Sequence, residues 1–270
     1  MKHNIDLDHC SLLLKQITDD IAASAPRHAS NASVPELIAQ VHAVNAAADL
    51  RLRSELQMRY PDIGWRDEQS ASFDTAAAHW VYDPIDGAYH YLQGLPLWSA
   101  SLALVQDGRA SIALVYDPAQ RELFMARQGA GSSCEGRPIR VSPKTELVST
   151  VVGSAISPKL QVGAEAQEYA LRLFSAIAPQ VFVVRPMAAT SLQLAYVAAG
   201  RLDAYWESGN DAADWLAGAL LVQEAGGVVT DLDGRHLQMD SRGIVAGNET
   251  IARQLRHAAA PVATPGQSSM

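Results

Sequence analysis

Three pairs of turn residues divide the middle of this 270-residue chain into short β-type runs. The pairs are Asp107-Gly108, Asp117-Pro118 and Glu135-Gly136, and the runs cover residues 99–105, 110–115, 122–126 and 139–141. Apolar or β-branched runs of this length, separated by such turns, are typical of strands that neighbour one another in a sheet. The sequence therefore predicts an antiparallel meander, which limits the folds open to the whole chain.

Helices are predicted before this meander, and strands alternate with helices after it. The first two helices cover residues 8–23 and 35–60, and Pro61 stops the second. Beyond Thr150, strands are predicted at 151–155, 181–184, 202–206, 228–230 and 243–246, and helices at 164–177, 190–199, 214–225 and 250–257. This pattern indicates an α+β half (residues 1–148) packed on an α/β half (149–257). Residues 258–270, rich in Ala, Pro, Gly and Ser, are predicted to be a mobile tail.

Composition excludes several classes of protein. No apolar run approaches the ~18 residues of a membrane span, and the N-terminus lacks the apolar core of a signal peptide. Cys10 and Cys134 have no metal-type spacing, which fits a reduced cytoplasm. A net charge of -8 argues against a nucleic-acid footprint. We expect a cytoplasmic enzyme that binds cations and has neither a nucleic-acid nor a membrane partner.

Two aspartates, Asp83 and Asp86, follow an apolar run at close spacing. Val81 and Tyr82 are predicted to form a short buried strand, and Pro84 suits the first turn of a helix that follows. The two carboxylates can then converge on one point, and carboxylate oxygens are ligands that Mg²⁺ prefers. The alternative for a bare pair of this spacing is a helix N-cap followed by a surface acid.

The residues around this pair complete a phosphate site. Gly87 permits a tight backbone path, and the carbonyl of Ile85 can face a metal. The N–H groups of Gly87 and Ala88 would lie at a helix N-terminus, where the helix dipole favours an anion. The segment therefore predicts a metal-assisted phosphate site.

Two blocks of sequence resemble the inositol monophosphatase family in order and spacing. The first runs from Trp80 through Gly94 and continues along the meander to Glu135-Gly136, and the second runs from Asp214 to Gly227. The likeness spans residues 8–256. It implies the layered α-β-α-β-α sandwich of the inositol monophosphatase and fructose-1,6-bisphosphatase type, of mixed α+β and α/β class, with Mg²⁺ as cofactor and usually a homodimer.

The resemblance also implies roles for three more acids. Asp214 would approach the same pocket to hold a second metal and contact substrate; its alternative is a helix N-cap. Glu68 falls on the glutamate that binds metal and orients the nucleophilic water, with Asp67 as an adjacent rival. Glu207 matches the glutamate that hydrogen-bonds a substrate hydroxyl, and its alternative is an exposed acid at a strand end.

Three departures from the family pattern affect the same site. Asn45 stands where the family has an aspartate, and Ala88 stands where it has a threonine that partners that aspartate near the nucleophilic water. Residues 188–191 (Ala-Ala-Thr-Ser) replace the usual Gly-Ser/Thr-Ala-Ala turn. The alternative for Asn45 is a helix N-cap before Ala46.

These observations leave two functions open. The first is Mg²⁺-dependent hydrolysis of a small phosphorylated metabolite, inositol monophosphate-like by resemblance, with Glu68, Asp83 and Asp86 as catalytic groups. The second is a degenerate family member that binds a phosphorylated ligand or catalyses another reaction, because Asn45 and Ala88 remove a hydroxyl and its carboxylate partner.

Overall fold

A computed structural model describes residues 4–26, 32–66 and 77–262 of the chain. Within these residues the first sheet has seven strands in sequence order: β1 (Gly64–Trp65), β2 (His79–Asp86), β3 (Ser99–Gln106), β4 (Arg109–Asp117), β5 (Glu122–Arg127), β6 (Gly131–Cys134) and β7 (Arg137–Pro138). β1 is parallel to β2, and every later neighbour pair is antiparallel. The predicted meander is confirmed, but the strand predicted at 139–141 is wrong, since β6 and β7 form the end of the sheet.

The second sheet contains five strands among the described residues, in the order β11-β12-β10-β8-β9. They are β8 (Val151–Ser154), β9 (Val183–Pro186), β10 (Ala204–Glu207), β11 (Val228–Thr230) and β12 (Ile244–Gly247). β8 lies parallel to β9 and β10, whereas β12 runs antiparallel to β10 and β11. The five strands predicted after Thr150 are therefore present, with ends displaced by one or two residues.

The helices are α1 (Leu7–Ser24), α2 (Val34–Arg59), α3 (Ala88–Leu92), α4 (Lys159–Val162), α5 (Ala164–Ile177), α6 (Thr190–Ala198), α7 (Ala212–Glu224) and α8 (Glu249–Ala259). Local signals explain where they begin: Asp6 accepts a hydrogen bond from the N–H of His9, and Ser33 forms a capping box with Glu36. α8 continues two residues past the predicted start of the tail, where Ala258 and Ala259 are buried. Residues 263–270 lie outside the described residues.

Three apolar cores show how the elements are layered. The first core joins α1 and α2 to the first sheet through residues such as Leu52 and Trp80. The second packs α6 and α7 between the two sheets and includes the fully buried Trp215. The third joins the second sheet to α5 and α8 around Trp206 and Leu255. The order of the layers is thus α-β-α-β-α, as expected. The second of the three cores contains residues from both before and after Thr150, so the two parts share it.

One feature of β2 differs from the sequence-based interpretation. Pro84 lies inside β2, at an irregularity in its register with β3 between Asp83 and Asp86. The prediction that Pro84 opens a helix is therefore wrong; α3 begins at Ala88. Proline is tolerated here because a bulged strand does not require its missing N–H.

No described helix has the length and hydrophobicity to cross a membrane.

Candidate active site

A cavity of about 440 Å³ lies where β2 ends against α6, β10 and α7, and we call it the front cavity. Its lining includes seven of the residues singled out from the sequence: Asp83, Ile85, Asp86, Gly87, Ala88, Glu207 and Asp214. The first five come from one stretch of chain and the last two from the other half. Glu68 and its rival Asp67 lie outside the described residues. The structure therefore brings together all the predicted site residues that it describes.

The turn from β2 into α3 requires a glycine. Gly87 has a φ of 93°, in the left-handed region that glycine favours. A Cβ at Gly87 would lie 3.0 Å from the Cβ of Ala189 and 3.0 Å from the carbonyl oxygen of Leu97. Ala88 follows as the first residue of α3. The bonds within this turn begin with the N–H of His90, which donates to the carbonyl of Gly87. The N–H groups of Gly87 and Ala88 precede it, so they are suited to meet an anion in the front cavity.

Asp86 caps a helix, but a distant one. The N-cap of α3 is Gly87 and Asp86 is buried, so the alternative of an aspartate N-cap at Asp83 followed by a surface acid is wrong. The Asp86 carboxylate instead accepts hydrogen bonds from the N–H of Thr190 at 3.1 Å and the N–H of Ser191 at 2.6 Å, at the start of α6. The hydroxyl of Ser191 also donates to Asp86. This anchor was missed from the sequence; its signal was the altered turn at 188–191.

The same turn carries backbone strain. Ala189 adopts a φ of 64°, a conformation that residues with a Cβ rarely take. It immediately precedes the two residues that bind Asp86, and its Cβ is one of the atoms facing Gly87. The strain therefore lies where the two halves of the chain meet at the front cavity.

Asp214 lies in the first turn of α7, whose N-cap is Asp211, so the N-cap interpretation of Asp214 is wrong. Burial raises the pKa of the Asp214 carboxyl well above its ordinary value, and the charges of Asp83 and Asp86 raise it further. Burial also raises the pKa of Asp86, although its hydrogen bonds from α6 oppose that effect. Crowded carboxylates of this kind are stabilised in the charged form by a bound cation.

Glu207 ends β10 and is only 5% exposed, so the alternative of an exposed acid at a strand end is wrong. Its Oε2 atom accepts hydrogen bonds from the hydroxyl of Tyr205 at 2.7 Å, Nε1 of Trp215 at 3.1 Å and the hydroxyl of Thr190 at 3.1 Å. Burial raises the pKa of Glu207 to about 7, against the effect of these donors. All three donors meet one oxygen, which leaves Oε1 to face a ligand.

A second cavity, of about 810 Å³, lies on the α2 side of the same aspartates. Asp83, Ile85 and Asp214 line both cavities, and Asn45 of α2 and Tyr82 of β2 line this one. Asn45 is in the interior of α2, which starts at Val34, so its interpretation as an N-cap is wrong.

The front cavity offers oxygen donors of the kind that a metal ion needs. The described residues contain no group of three His, Cys, Asp or Glu side chains already arranged around a metal position. Asp86 partly accounts for this, because its oxygens face the start of α6. A carboxylate has about four lone-pair positions, so three donors leave Asp86 one for a cation. Asp83, Asp86, Asp214 and the Ile85 carbonyl offer only oxygen donors, the chemistry that suits Mg²⁺.

Comparison with known proteins identifies relatives over most of the chain. The family model described as "Inositol monophosphatase family" matches residues 20–263. A protein named Nus factor SuhB from Xylella fastidiosa is 38% identical over 219 residues, which are 79% of this chain and 78% of that protein. An inositol-1-monophosphatase from Mesorhizobium japonicum is 38% identical over 204 residues, covering 75% of this chain and 76% of the relative.

Solved structures of relatives have the same fold. An inositol monophosphatase from Anabaena superposes with a TM-score of 0.79 at 25% identity, over 98% of this chain and 100% of its own. The extragenic suppressor protein suhB from Bartonella henselae gives 0.75 at 28% identity, over 92% and 98%. The family match, the identities and the shared fold agree with the geometry of the front cavity, and this chain belongs to the inositol monophosphatase family.

Proposed function

We propose that the chain catalyses Mg²⁺-dependent hydrolysis of a small phosphate monoester, with an inositol monophosphate as the first candidate substrate. One observation carries the proposal: Asp83, Asp86 and Asp214 line one cavity together with the N-terminal turn of α3 and the buried Glu207. A phosphorylated alcohol bound through a metal ion requires three kinds of group. Acids hold the metal, N–H groups bind the phosphate, and an acceptor binds a hydroxyl of the alcohol. Family membership supports the same reaction class.

Asp83, Asp86, Asp214 and the carbonyl of Ile85 would hold Mg²⁺, and Glu68 would join them by its resemblance to the family glutamate. When bound, the metal supplies positive charge that stabilises the phosphate oxygens during displacement. The residues themselves must be deprotonated to bind it, so metal binding and the raised pKa values of Asp86 and Asp214 oppose each other.

The other residues position the substrate. The backbone N–H groups of Gly87 and Ala88 bind phosphate oxygens through the first turn of α3. Oε1 of Glu207 accepts a hydrogen bond from a substrate hydroxyl, while Oε2 is held by its three donors. A rigidly held acceptor of this kind favours polyhydroxylated alcohols over simple alkyl phosphates, because an unmatched buried acceptor costs free energy.

The test is release of inorganic phosphate from a panel of monoesters in the presence and absence of Mg²⁺. The panel contains inositol monophosphates, sugar phosphates, histidinol phosphate and nucleotide 3′,5′-bisphosphates. Asp214→Asn should abolish Mg²⁺-dependent release, and Glu165→Asn, at an exposed position on α5, is the control that should retain it. Absence of Mg²⁺-dependent release by the unmodified protein from every ester would contradict the proposal.

A second function is favoured by Asn45 and Ala88. Neither side chain can provide the carboxylate and hydroxyl that the family places near its nucleophilic water. Under this alternative the front cavity binds a phosphorylated ligand without ordinary hydrolysis. Calorimetric binding of an inositol monophosphate, with no release of phosphate over the same period, would favour it over the first proposal. Several relatives carry the name Nus factor instead of inositol-1-monophosphatase, so both functions are tested on the same panel.

Three further expectations remain proposals. The chain is expected to be a homodimer, to act in the cytoplasm and to bind no nucleic acid; resemblance supports the first, and cysteine usage and net charge support the others. Analytical ultracentrifugation tests the first, and electrophoretic mobility of labelled RNA and DNA tests the last. A monomer at micromolar concentration, or a shifted band at physiological salt, would contradict them.

A further inference from the structure

The short helix α3 brings a histidine to the front cavity. His90 is the third residue of α3 and lines the cavity beside Gly87 and Ala88, whose N–H groups are proposed to bind phosphate. Its Nδ1 atom lies 2.7 Å from the carbonyl oxygen of Leu97. That same oxygen lies 3.0 Å from the position that a Cβ of Gly87 would occupy. The imidazole ring is therefore held next to the turn that receives the phosphate.

The bond to Leu97 determines which ring nitrogen is available to a ligand. A carbonyl oxygen only accepts hydrogen bonds, so Nδ1 of His90 is the donor and carries a hydrogen. The other nitrogen, Nε2, has no hydrogen-bond partner among the residues that the structure describes. Nε2 can therefore bind or release a proton while the Nδ1 bond keeps the ring in place.

The other charged groups around His90 are all acids. The described lining of the front cavity contains five carboxyl groups and neither lysine nor arginine; the five belong to Asp83, Asp86, Glu207, Asp211 and Asp214. The segment 93–98, which carries the Leu97 carbonyl, has no charged residue. His90 is thus the one side chain of this lining that can be a cation near neutral pH.

Ester hydrolysis requires a proton that the metal-binding acids cannot supply. A leaving alcohol departs as a strongly basic alkoxide unless its oxygen receives a proton, which a positioned side chain can provide. Carboxylates that hold a cation are deprotonated, so Asp83, Asp86 and Asp214 have no proton to give. Glu207, with its raised pKa, is the rival donor, although its proposed contact is a substrate hydroxyl. A substitution at His90 distinguishes the two.

We propose that Nε2 of His90 donates the proton that the leaving alcohol requires. This inference rests on the proposed hydrolysis. The oxygen of a water forms a bond to phosphorus, the ester P–O bond breaks with its electron pair on the alcohol oxygen, and that oxygen takes the proton from Nε2. The proton that the water loses passes to solvent, and a solvent proton restores His90. The products are the free alcohol and inorganic phosphate.

His90→Asn separates proton donation from a structural role. The amide nitrogen of asparagine can keep the bond to the Leu97 carbonyl, but the side chain places nothing at the position of Nε2. Loss of a general acid should lower kcat for an inositol monophosphate by about 100-fold or more, with the melting temperature unchanged. The matched control is His257→Asn, at an exposed position on α8, which should retain kcat.

Two further readouts on the same variant identify the proton. p-Nitrophenyl phosphate releases a weakly basic phenolate that departs without a proton, so His90→Asn should hydrolyse this ester nearly as fast as the unmodified protein. With the inositol ester, kcat of the unmodified protein should fall as pH rises and Nε2 loses its proton. That fall should be absent in His90→Asn. Glu207 titrates in both proteins, so its effect is common to the two profiles.

The outcomes distinguish this inference from the proposed function. If the unmodified protein hydrolyses the inositol ester and His90→Asn is equally fast, hydrolysis stands and proton donation by His90 fails. Equal slowing of both esters, or the same pH profile in both proteins, would also overturn the inference, because the ring would then only support the cavity. If the unmodified protein hydrolyses no ester, the proposed function fails, and this inference fails with it.

Discussion

The burial of Glu207 predicts that its contribution to stability falls as pH rises. Its pKa is about 7 in the folded protein, against an ordinary value of 4.5. The folded protein therefore retains a proton that the unfolded chain releases between these two values, and stability decreases across that window. A difference of roughly 2.5 pKa units, at about 1.4 kcal/mol per unit, gives about 3.5 kcal/mol in the free energy of unfolding. This contribution is fully present below about pH 4.5 and is lost as pH rises through 7.

Urea unfolding with EDTA, at pH 5 and pH 8, measures this effect. Glu207→Gln cannot ionise but keeps an acceptor for Tyr205 and Trp215. Between the two pH values the unmodified protein should lose about 2.5 kcal/mol more than Glu207→Gln, since most of the window lies between them. Glu165→Gln, exposed on α5, is the matched control and should follow the unmodified protein.

The comparison isolates one group because the other buried acids titrate in both proteins. The raised pKa of Asp86 affects the two pH profiles alike. The charge of Glu207 is the last and smallest of the named causes that raise the pKa of Asp214, so most of the Asp214 contribution also cancels in the difference. If Glu207→Gln has the same pH dependence as the unmodified protein, the reasoning is refuted: burial would not then hold the proton on Glu207.

Three more predictions concern the acidic cluster and the departures from the family. Mg²⁺ at one hundred times its Kd should raise the free energy of unfolding by about 2.7 kcal/mol, a gain largely lost in Asp83→Asn; equal melting curves for the two proteins would count against the site. Ser191→Ala removes a donor to Asp86 and should tighten Mg²⁺ binding by about tenfold, or 1.4 kcal/mol, in calorimetry; unchanged or weaker binding would show that Ser191 does not compete with the cation. Asn45→Asp combined with Ala88→Thr should raise kcat while each single change does little, and a double mutant no faster than the parent on any ester would favour the non-hydrolytic alternative.

Local patterns determined most of the fold, and the sequence showed them. The meander followed from turn pairs such as Asp107-Gly108, which lie between β3 and β4. The helices before the meander followed from apolar periodicity and from Pro61, signals that depend on residues a few positions apart. β6 was missed because Gly131–Cys134 is neither an apolar nor a β-branched run, and it is a strand through its pairing with β5 and β7. Pro84 was misplaced because a bulge is set by the partner strand.

The sequence predicted which acidic residues line the front cavity, but not the residues that hydrogen-bond to them. Asp83, Asp86, Glu207 and Asp214 could be identified from spacing and resemblance. Their hydrogen bonds could not, because each depends on contacts between distant segments. Asp86 is held by residues 104 and 105 positions away, and no local pattern around Asp86 indicates them.

The shared middle core has a consequence for how the protein is made. The strands of the first sheet pair in sequence order, so β2 to β7 can form as they emerge during synthesis. Their inner face remains uncovered until α6 and α7 emerge, several seconds later at about 5–20 residues per second. Asp83 and Asp86 therefore exist before Asp214 can join them. Neither half carries all the acids of the front cavity by itself, and a fragment ending near Thr150 would complete that set only by association with its missing half.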